Sequence, residues 1–488
     1  MSGKKYLRPM EMPVKAAQES RPFPRISIAN IEWSARSVRH RQQQLRQLHA
    51  TLLKYKDECV QAIEEDFRYT PNEALFAYSL TLKDIRIHYD SVSLSEENAK
   101  ARKVEQEQDN PVRSVPVGIV YIIPTAGLHC VISPVAAALA AGNCIVVELP
   151  RTTGHTNSLL QNTLREAMSN DTFAISTTRP DTAFLAECQI VSQTDLVLGT
   201  SAPRTVFSPP AARCFAFVDR EADVQLAARN IVHARCGFGA RSLYAPEIVF
   251  VHEAVLKLFK YYLEQVWTAR RPQKQADARK LPGKSEISSR SSPDGLINLL
   301  SGPGCEVIEV QDRNEKMLFS HTDYSTLVLC SIDSTDDGID LATDICGNEG
   351  IAAAFFFASP SAANYLSTSL NAHLSFINHI PTELLVGPRI PTNSDGSLVP
   401  RYPRHLFEET HPQICKPSEI TTSLGTQIEN SGNLEAWARS TAKPLLSDEL
   451  PGRRVDFFEQ ALITAASVSV LSLVTVGVLG SILVRRLR

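Results

Sequence analysis

The chain has 488 residues, 43% hydrophobic and 21% charged. That is more than one core's worth of chain and predicts two or three domains of ordinary globular composition. A formal net charge of −3 removes any bulk electrostatic case for a nucleic-acid partner. The ten cysteines run from Cys59 to Cys415 without a C-x-x-C pair, which speaks against a zinc site or a disulfide framework and for a reducing compartment.

Residues 1–26 lack the apolar stretch of a secretory signal and read as a flexible leader. Their basic character hints at a transit peptide, but Glu11, Glu19 and four prolines spoil an amphipathic helix. From Ile31 to Ser95 the apolar residues recur at helical spacing: Leu45, Leu48, Leu52 and Leu53, then Val60, Ile63 and Phe67. Pro71-Asn72 breaks the pattern, Glu73–Tyr89 resumes it, and the charged run at 100–110 reads as a loop.

Val115–Ile123 is an apolar, β-rich run that predicts one buried strand ending at Pro124. Pro134–Ala141 predicts a helix stopped by Gly142-Asn143, and Cys144–Val147 predicts the next strand. Such alternation implies a right-handed parallel unit with a covered sheet. Further predicted strands are Asp195–Leu198, Cys214–Val218, Ile248–Val251 and Ser325–Leu329, with helices at Ala222–Ala234 and Glu253–Thr268. The basic, Ser- and Pro-containing stretch Ala269–Pro293 reads as a solvated loop, and Glu429–Arg454 as a polar tether.

Ala461–Val484 carries no charge over 24 residues, and about 20 suffice for a helix to cross a bilayer core. Arg485, Arg486 and Arg488 follow it and suit lipid headgroups. The expectation is a single C-terminal membrane anchor with the globular part in the cytosol. Crossing would carry the terminal arginines against the positive-inside tendency. The endoplasmic reticulum, the peroxisome and the mitochondrial outer membrane stay open as locations.

Two motifs carry a family resemblance. VPVGIVYIIP…SPVAAALAAGNCIVVELP at 115–150 resembles E-P-x-G-V-V-x-I-x-P-W-N…A-I-A-A-G-N-x-V-V-L-K-P of the aldehyde dehydrogenases. DREADVQLAARNIVHARCGFGARSLYAPE at 219–247 resembles their D-x-D-x-D…G-Q-x-C-x-A-P-D. The resemblance covers most of 27–410 and is nearest to the membrane-bound fatty aldehyde dehydrogenases. It implies an α/β fold: a nucleotide-binding-like domain at 27–218 and a catalytic-like domain at 219–390, both Rossmann-like. A return segment and oligomerisation bridge at 391–428, a linker at 429–460 and a transmembrane helix at 461–484 complete the expected organisation. It further implies NAD or NADP as cofactor if the chain is active, and homo- or hetero-oligomers with similar chains.

The same alignment places Leu243 at the family's nucleophilic cysteine and Ala126 at its oxyanion asparagine. Leucine has no lone pair to attack a carbonyl, and alanine has no donor for the developing oxyanion. The ribose-binding lysine falls on Glu148, or on Leu149 if counted back from Pro150. The phosphate turn keeps Gly199 but has Arg204 at its second glycine. The E-L-G-G-K segment with the general base falls in a shortened stretch without a carboxylate. The nicotinamide-ribose glutamate falls within Ser320–Asp323. Ser242 lies one residue from the lost nucleophile and Cys236 seven residues before it. His233 and Cys236 are three apart and could share a helix face, but a Cys-His pair needs more than that spacing. The resulting expectation is a pseudoenzyme: a scaffold, or a binder of a lipid-like aldehyde or acid at a membrane. The alternative is an NAD(P)-dependent oxidoreductase that converts aliphatic aldehydes to carboxylic acids.

Overall fold

Leucines three and four apart give the N-terminal segment one apolar face, and the chain answers with α1 (Pro24–Ile31), α2 (Val38–Lys54), α3 (Lys56–Phe67) and α4 (Pro71–Asp90). Leu45, Leu48, Leu52 and Ile63 are buried in a single cluster with the sheet behind them. Thr70 starts α4 with a reciprocal cap: its side chain accepts from the Glu73 amide while Glu73 accepts from the Thr70 amide. The computed structural model describes residues 22–150, 154–194, 204–208, 212–269, 296–302, 305–321, 326–347, 350–424, 431–443, 462 and 464–467.

The 100–110 stretch, expected as a loop, is half helix: α5 spans Leu94–Glu105. Ser93 caps its first turn by accepting from the Glu96 amide, and Glu96 and Glu97 face Arg102 and Lys103 across the helix dipole. The single strand expected at Val115–Ile123 is two. β1 (Ser114–Pro116) and β2 (Ile119–Ile123) are separated at Gly118, whose φ of +115° turns the chain between sheets. β1 pairs antiparallel with β14 (Glu408–Thr410), whereas β2 enters the first parallel sheet.

The following helix, α6, starts at Leu128 rather than at Pro134 and runs to Ala141 with the proline inside it. Gly142 closes it at φ +91°. Asn143 then accepts from the Gly118 amide and donates to the carbonyls of Ala138 and Phe407. The Gly-Asn pair of the motif is therefore a splice between helix, strand and returning chain. β3 (Cys144–Glu148), α7 (His155–Ala167), β4 (Phe173–Ser176), α8 (Thr182–Ala186), β5 (Cys188–Ser192) and β6 (Thr205–Phe207) complete a five-stranded parallel sheet of order β4-β3-β2-β5-β6. Along β2, Val120 and Ile122 face one cluster while Ile119, Tyr121 and Ile123 face another. Both faces are covered, which is why the strand is apolar throughout.

The second sheet has seven strands. It contains β7 (Arg213–Val218), β8 (Ile248–His252), β9 (Leu296–Gly302), β10 (Cys305–Val310), β11 (Thr326–Ile332), β12 (Ile351–Phe357) and β13 (Ala372–Ile377), in the order β13-β12-β7-β8-β11-β10-β9. Only the β9–β10 pair is antiparallel. α9 (Val224–Cys236) and α10 (Glu253–Ala269) cover one face, and α11 (Thr335–Cys346) with α12 (Pro360–Ser369) the other. Because β7 belongs here, the sheet-to-sheet boundary falls between Phe207 and Arg213, ahead of the expected break after Val218.

Met1–Cys415 forms one compact unit holding both sheets, and Lys416–Arg488 forms another. In the second, the expected tether contains a helix at Ser431–Thr441. The predicted strand Asp195–Leu198, nearly all of the loop Ala269–Pro293, and most of Ala461–Val484 lie outside the described residues. Among the described residues, no helix is long and apolar enough to cross a membrane.

Candidate functional site

Where α6 begins, the end of β2, the loop after α9 and a returning segment near Leu385 enclose a cavity of about 530 Å³. Leu243 and Ala126 both line it, so the two positions that the motifs place at the nucleophile and the oxyanion donor share one wall space. Thr125 positions this wall: its amide and hydroxyl both donate to the Gln193 side chain, at 3.0 and 3.1 Å, while Gln193 donates to the Cys130 carbonyl at 2.7 Å. Gln193 lies at the C-terminal end of β5, beside β2, where the strand order of the first sheet reverses. That end of a doubly wound sheet is the usual dinucleotide crevice.

The lining is mostly apolar, with Ile63, Phe67, Leu128, Leu385 and Val386 contributing, and Arg241 supplies a cation. Among the described residues, no carboxylate lines the cavity. Ser242 does line it, but it is buried, and its hydroxyl oxygen accepts from the Tyr244 amide at 3.3 Å within its own turn. Cys236 is elsewhere. It sits at the end of α9, packed against the core cluster on one face of the second sheet. His233 is exposed and lies outside the cavity, so the weighed Cys-His pair does not meet at the site.

Two cavity residues were not singled out from sequence. Cys130 and His129 fall on the first turn of α6, ahead of the predicted start at Pro134. Burial pushes the Cys130 thiol up to about 11, so near neutral pH it is protonated and a weak nucleophile. His129 Nε2 is 3.1 Å from Asp84 Oδ2, and the Ser133 hydroxyl donates to the same oxygen at 2.5 Å. Its other nitrogen is buried against Gly387, where an added Cβ would stand 2.1 Å away. His129 is therefore a wall post between α4 and α6, with no free face toward a substrate.

The cofactor positions are likewise occupied by the chain itself. Glu148 accepts from Nη2 and Nε of Arg179 at 2.9 and 3.1 Å and from the Tyr121 hydroxyl at 2.7 Å. Three donors already fill that carboxylate, and it repels an adenosine phosphate. Leu149 is buried. Arg204 pairs with Glu409 of β14 at 2.6 Å, which answers its charge within the protein and not on a phosphate. Gly199 lies outside the described residues. Around Glu148 and Arg204, the described residues do not fit a dinucleotide. His321, within the stretch aligned with the ribose glutamate, faces Glu247 at 3.4 Å.

The architecture agrees with comparisons against known proteins. Residues 11–179 match the model described as the aldehyde dehydrogenase family. The chain is 22% identical over 247 residues to the fatty aldehyde dehydrogenase HFD1 of Saccharomyces cerevisiae. That match covers 45% of this chain and 46% of the relative, so it spans about half of each. Solved structures agree in fold. A substrate-bound Staphylococcus aureus AldH gives a TM-score of 0.63 at 14% identity, covering 88% of this chain and 100% of that one. An NADP-dependent glyceraldehyde-3-phosphate dehydrogenase from Bacillus halodurans, complexed with NADP, gives 0.62 at 14% identity, covering 82% and 91%. An NAD-dependent benzaldehyde dehydrogenase from Corynebacterium glutamicum gives 0.58 at 13% identity, covering 83% and 90%. These aldehyde dehydrogenase neighbours share the α/β architecture with this chain.

Proposed function

We propose that this aldehyde dehydrogenase-family chain is a pseudoenzyme, held at a membrane by residues 461–484, whose cavity takes an apolar aldehyde or acid without oxidising it. The observation that carries the reading is the pairing of Leu243 with Ala126 in a cavity that no described carboxylate lines. Nucleophile, oxyanion donor and base act as a unit, and losing one such group costs several orders of magnitude in rate. The apolar lining suits an aliphatic chain, and Arg241 suits an acid headgroup.

A working NAD(P)-dependent aldehyde oxidoreductase is the competing reading. The fold neighbours that use NAD or NADP and the presence of Cys130 in the cavity favour it. The purified protein, incubated with medium- and long-chain aldehydes and either nucleotide, is expected to produce no NAD(P)H above background. Turnover that disappears in Cys130→Ala or Ser242→Ala would overturn the pseudoenzyme reading and identify the replacement nucleophile.

A further inference from the structure

The cavity has two unlike ends. Ala126 and Arg241 are the exposed residues of its lining and mark the mouth. At the inner end Ile63, Leu128, Leu385 and Val386 are buried. The first two belong to the core of the first sheet and the last two to that of the second. The buried polar groups of the lining bring no charge to a ligand. Cys130 stays protonated, Ser242 is a neutral hydroxyl, and the His129 ring is held between Asp84 and Gly387.

The mouth carries a charge that the protein leaves unanswered. Arg241 Nη1 donates to the Asp66 carbonyl at 3.4 Å. The Asp66 carboxylate is engaged elsewhere, accepting from the amides of His155 and Thr156 at 3.1 and 2.7 Å where α7 begins. Glu73 accepts from the amides of Thr70 and Phe238. Among the described residues, no carboxylate pairs with Arg241.

This polarity admits an amphiphile in one orientation. With its tail inward, every methylene leaves water for the apolar end, while the head stays at the mouth beside the guanidinium. Reversed, a charged head would be stripped of water among aliphatic side chains, which is costly. A carboxylate at the mouth forms a charge-assisted hydrogen bond with Arg241 that an uncharged head of the same chain cannot match.

We propose that the cavity is a site for single-chain carboxylates, bound head-out, with the carboxylate on Arg241 and the alkyl tail against Ile63, Leu128, Leu385 and Val386, and that it selects the acid over the uncharged aldehyde. The inference rests on the reading of this cavity as a binding site for an apolar ligand, and it fixes the ligand's charge and direction.

The test is calorimetric titration of the full chain in a mild non-ionic detergent, with the detergent blank subtracted. The ligands are octanoate, nonanoate, decanoate, decanol and decylamine. Decanol stands for the uncharged head, because an aldehyde also reacts with lysines. Affinity is expected to rise about three- to fourfold per methylene along the acids. Decanoate should bind about tenfold more tightly than decanol, and decylamine more weakly than either. Arg241→Gln should erase the preference for decanoate and leave decanol binding unchanged, while Arg241→Lys should keep part of the preference. Leu385→Trp, which fills the inner end, should weaken decanoate and decanol together. Equal binding of decanoate and decanol by the wild-type chain would overturn the proposal, and so would a preference that survives Arg241→Gln. Either result leaves the cavity an apolar site. Absence of binding by all five ligands, or binding unaffected by Leu385→Trp, would instead remove the cavity as a ligand site, and the proposal with it.

Discussion

Leu243 occupies a place where its neighbours still obey the motif. Ala245, Pro246 and Glu247 keep their register, and Glu247 is held by Arg213 at 3.3 Å, so the turn is built with a leucine at the aligned position. That placement in the cavity wall was legible from sequence: flanking residues fix the backbone, and the backbone fixes which side chain faces the cavity. Cys130 was not legible in the same way, because the family pattern directs attention to one cysteine position and offers no reason to inspect another. At this scale the expectation concerns reversion. Leu243→Cys restores a thiol but neither the oxyanion donor at Ala126 nor a base, and such groups are strongly non-additive. The variant, assayed with a medium-chain aldehyde and NAD or NADP, is expected to remain at background. Dehydrogenase turnover in Leu243→Cys alone would show that the remaining cavity residues already supply a base and an oxyanion donor.

Elements were legible where period and caps agreed, as in α9 and α10, and less so where tertiary pairing overrode a local pattern. β1 and β2 look like one run because nothing in Val115–Ile123 except Gly118 announces that its halves serve different sheets. The predicted helix starts at Pro134 because proline favours a first turn, but here it sits inside α6. The polar residues of α4 carried no visible signal either. Asp84 and His88 lie four apart on α4, as His129 and Ser133 do on α6, so each pair shares a helix face. All four are buried, and Asp84 takes bonds from both α6 residues. Burial opposes charge on Asp84, but His129 and Ser133 hold its carboxyl below the ordinary value. Its contribution is therefore present above the unfolded carboxyl range and is lost only as pH falls through that lower value. His88 behaves differently. Burial lowers it from 6.5 to about 4, so its neutral form is the folded one. Stability is complete above the unfolded value and falls as pH drops from 6.5 toward about 4, by about 3 kcal/mol across that window. Urea unfolding at stepped pH should show this loss, and His88→Gln should flatten the slope between pH values of about 7 and 4. His40, His49 and His373, also lowered mainly by burial, retain their smaller share in the variant. An unchanged slope in His88→Gln would remove His88 as the cause.

For the whole molecule, strand–helix alternation conveyed a parallel unit with a covered sheet, and the family resemblance implied the two α/β domains. The expected break after Val218 lies beyond the observed one because the acidic run beginning at Asp219 stands out, while β7 ahead of it reads equally well as the last strand of either sheet. Only the strand order settles its membership. Membrane attachment belongs to this scale too, since it concerns where the entire chain resides. As a helix at 1.5 Å per residue, the uncharged stretch Ala461–Val484 reaches about 36 Å, against a hydrocarbon core of about 30 Å. Its five described residues are exposed, Leu462 at 70%. An apolar side chain in water forgoes the stabilisation that burial gives, about 25 cal/mol per Å², and a bilayer supplies that burial. The intact chain is therefore expected to remain with membranes through carbonate extraction, and a chain truncated after Gln460 to move to the soluble fraction. Protease added outside intact organelles should digest Met1–Cys415 if that unit faces the cytosol. Release of the intact chain by carbonate would remove the anchor, and protection of the unit from protease would reverse its orientation while leaving the anchor in place.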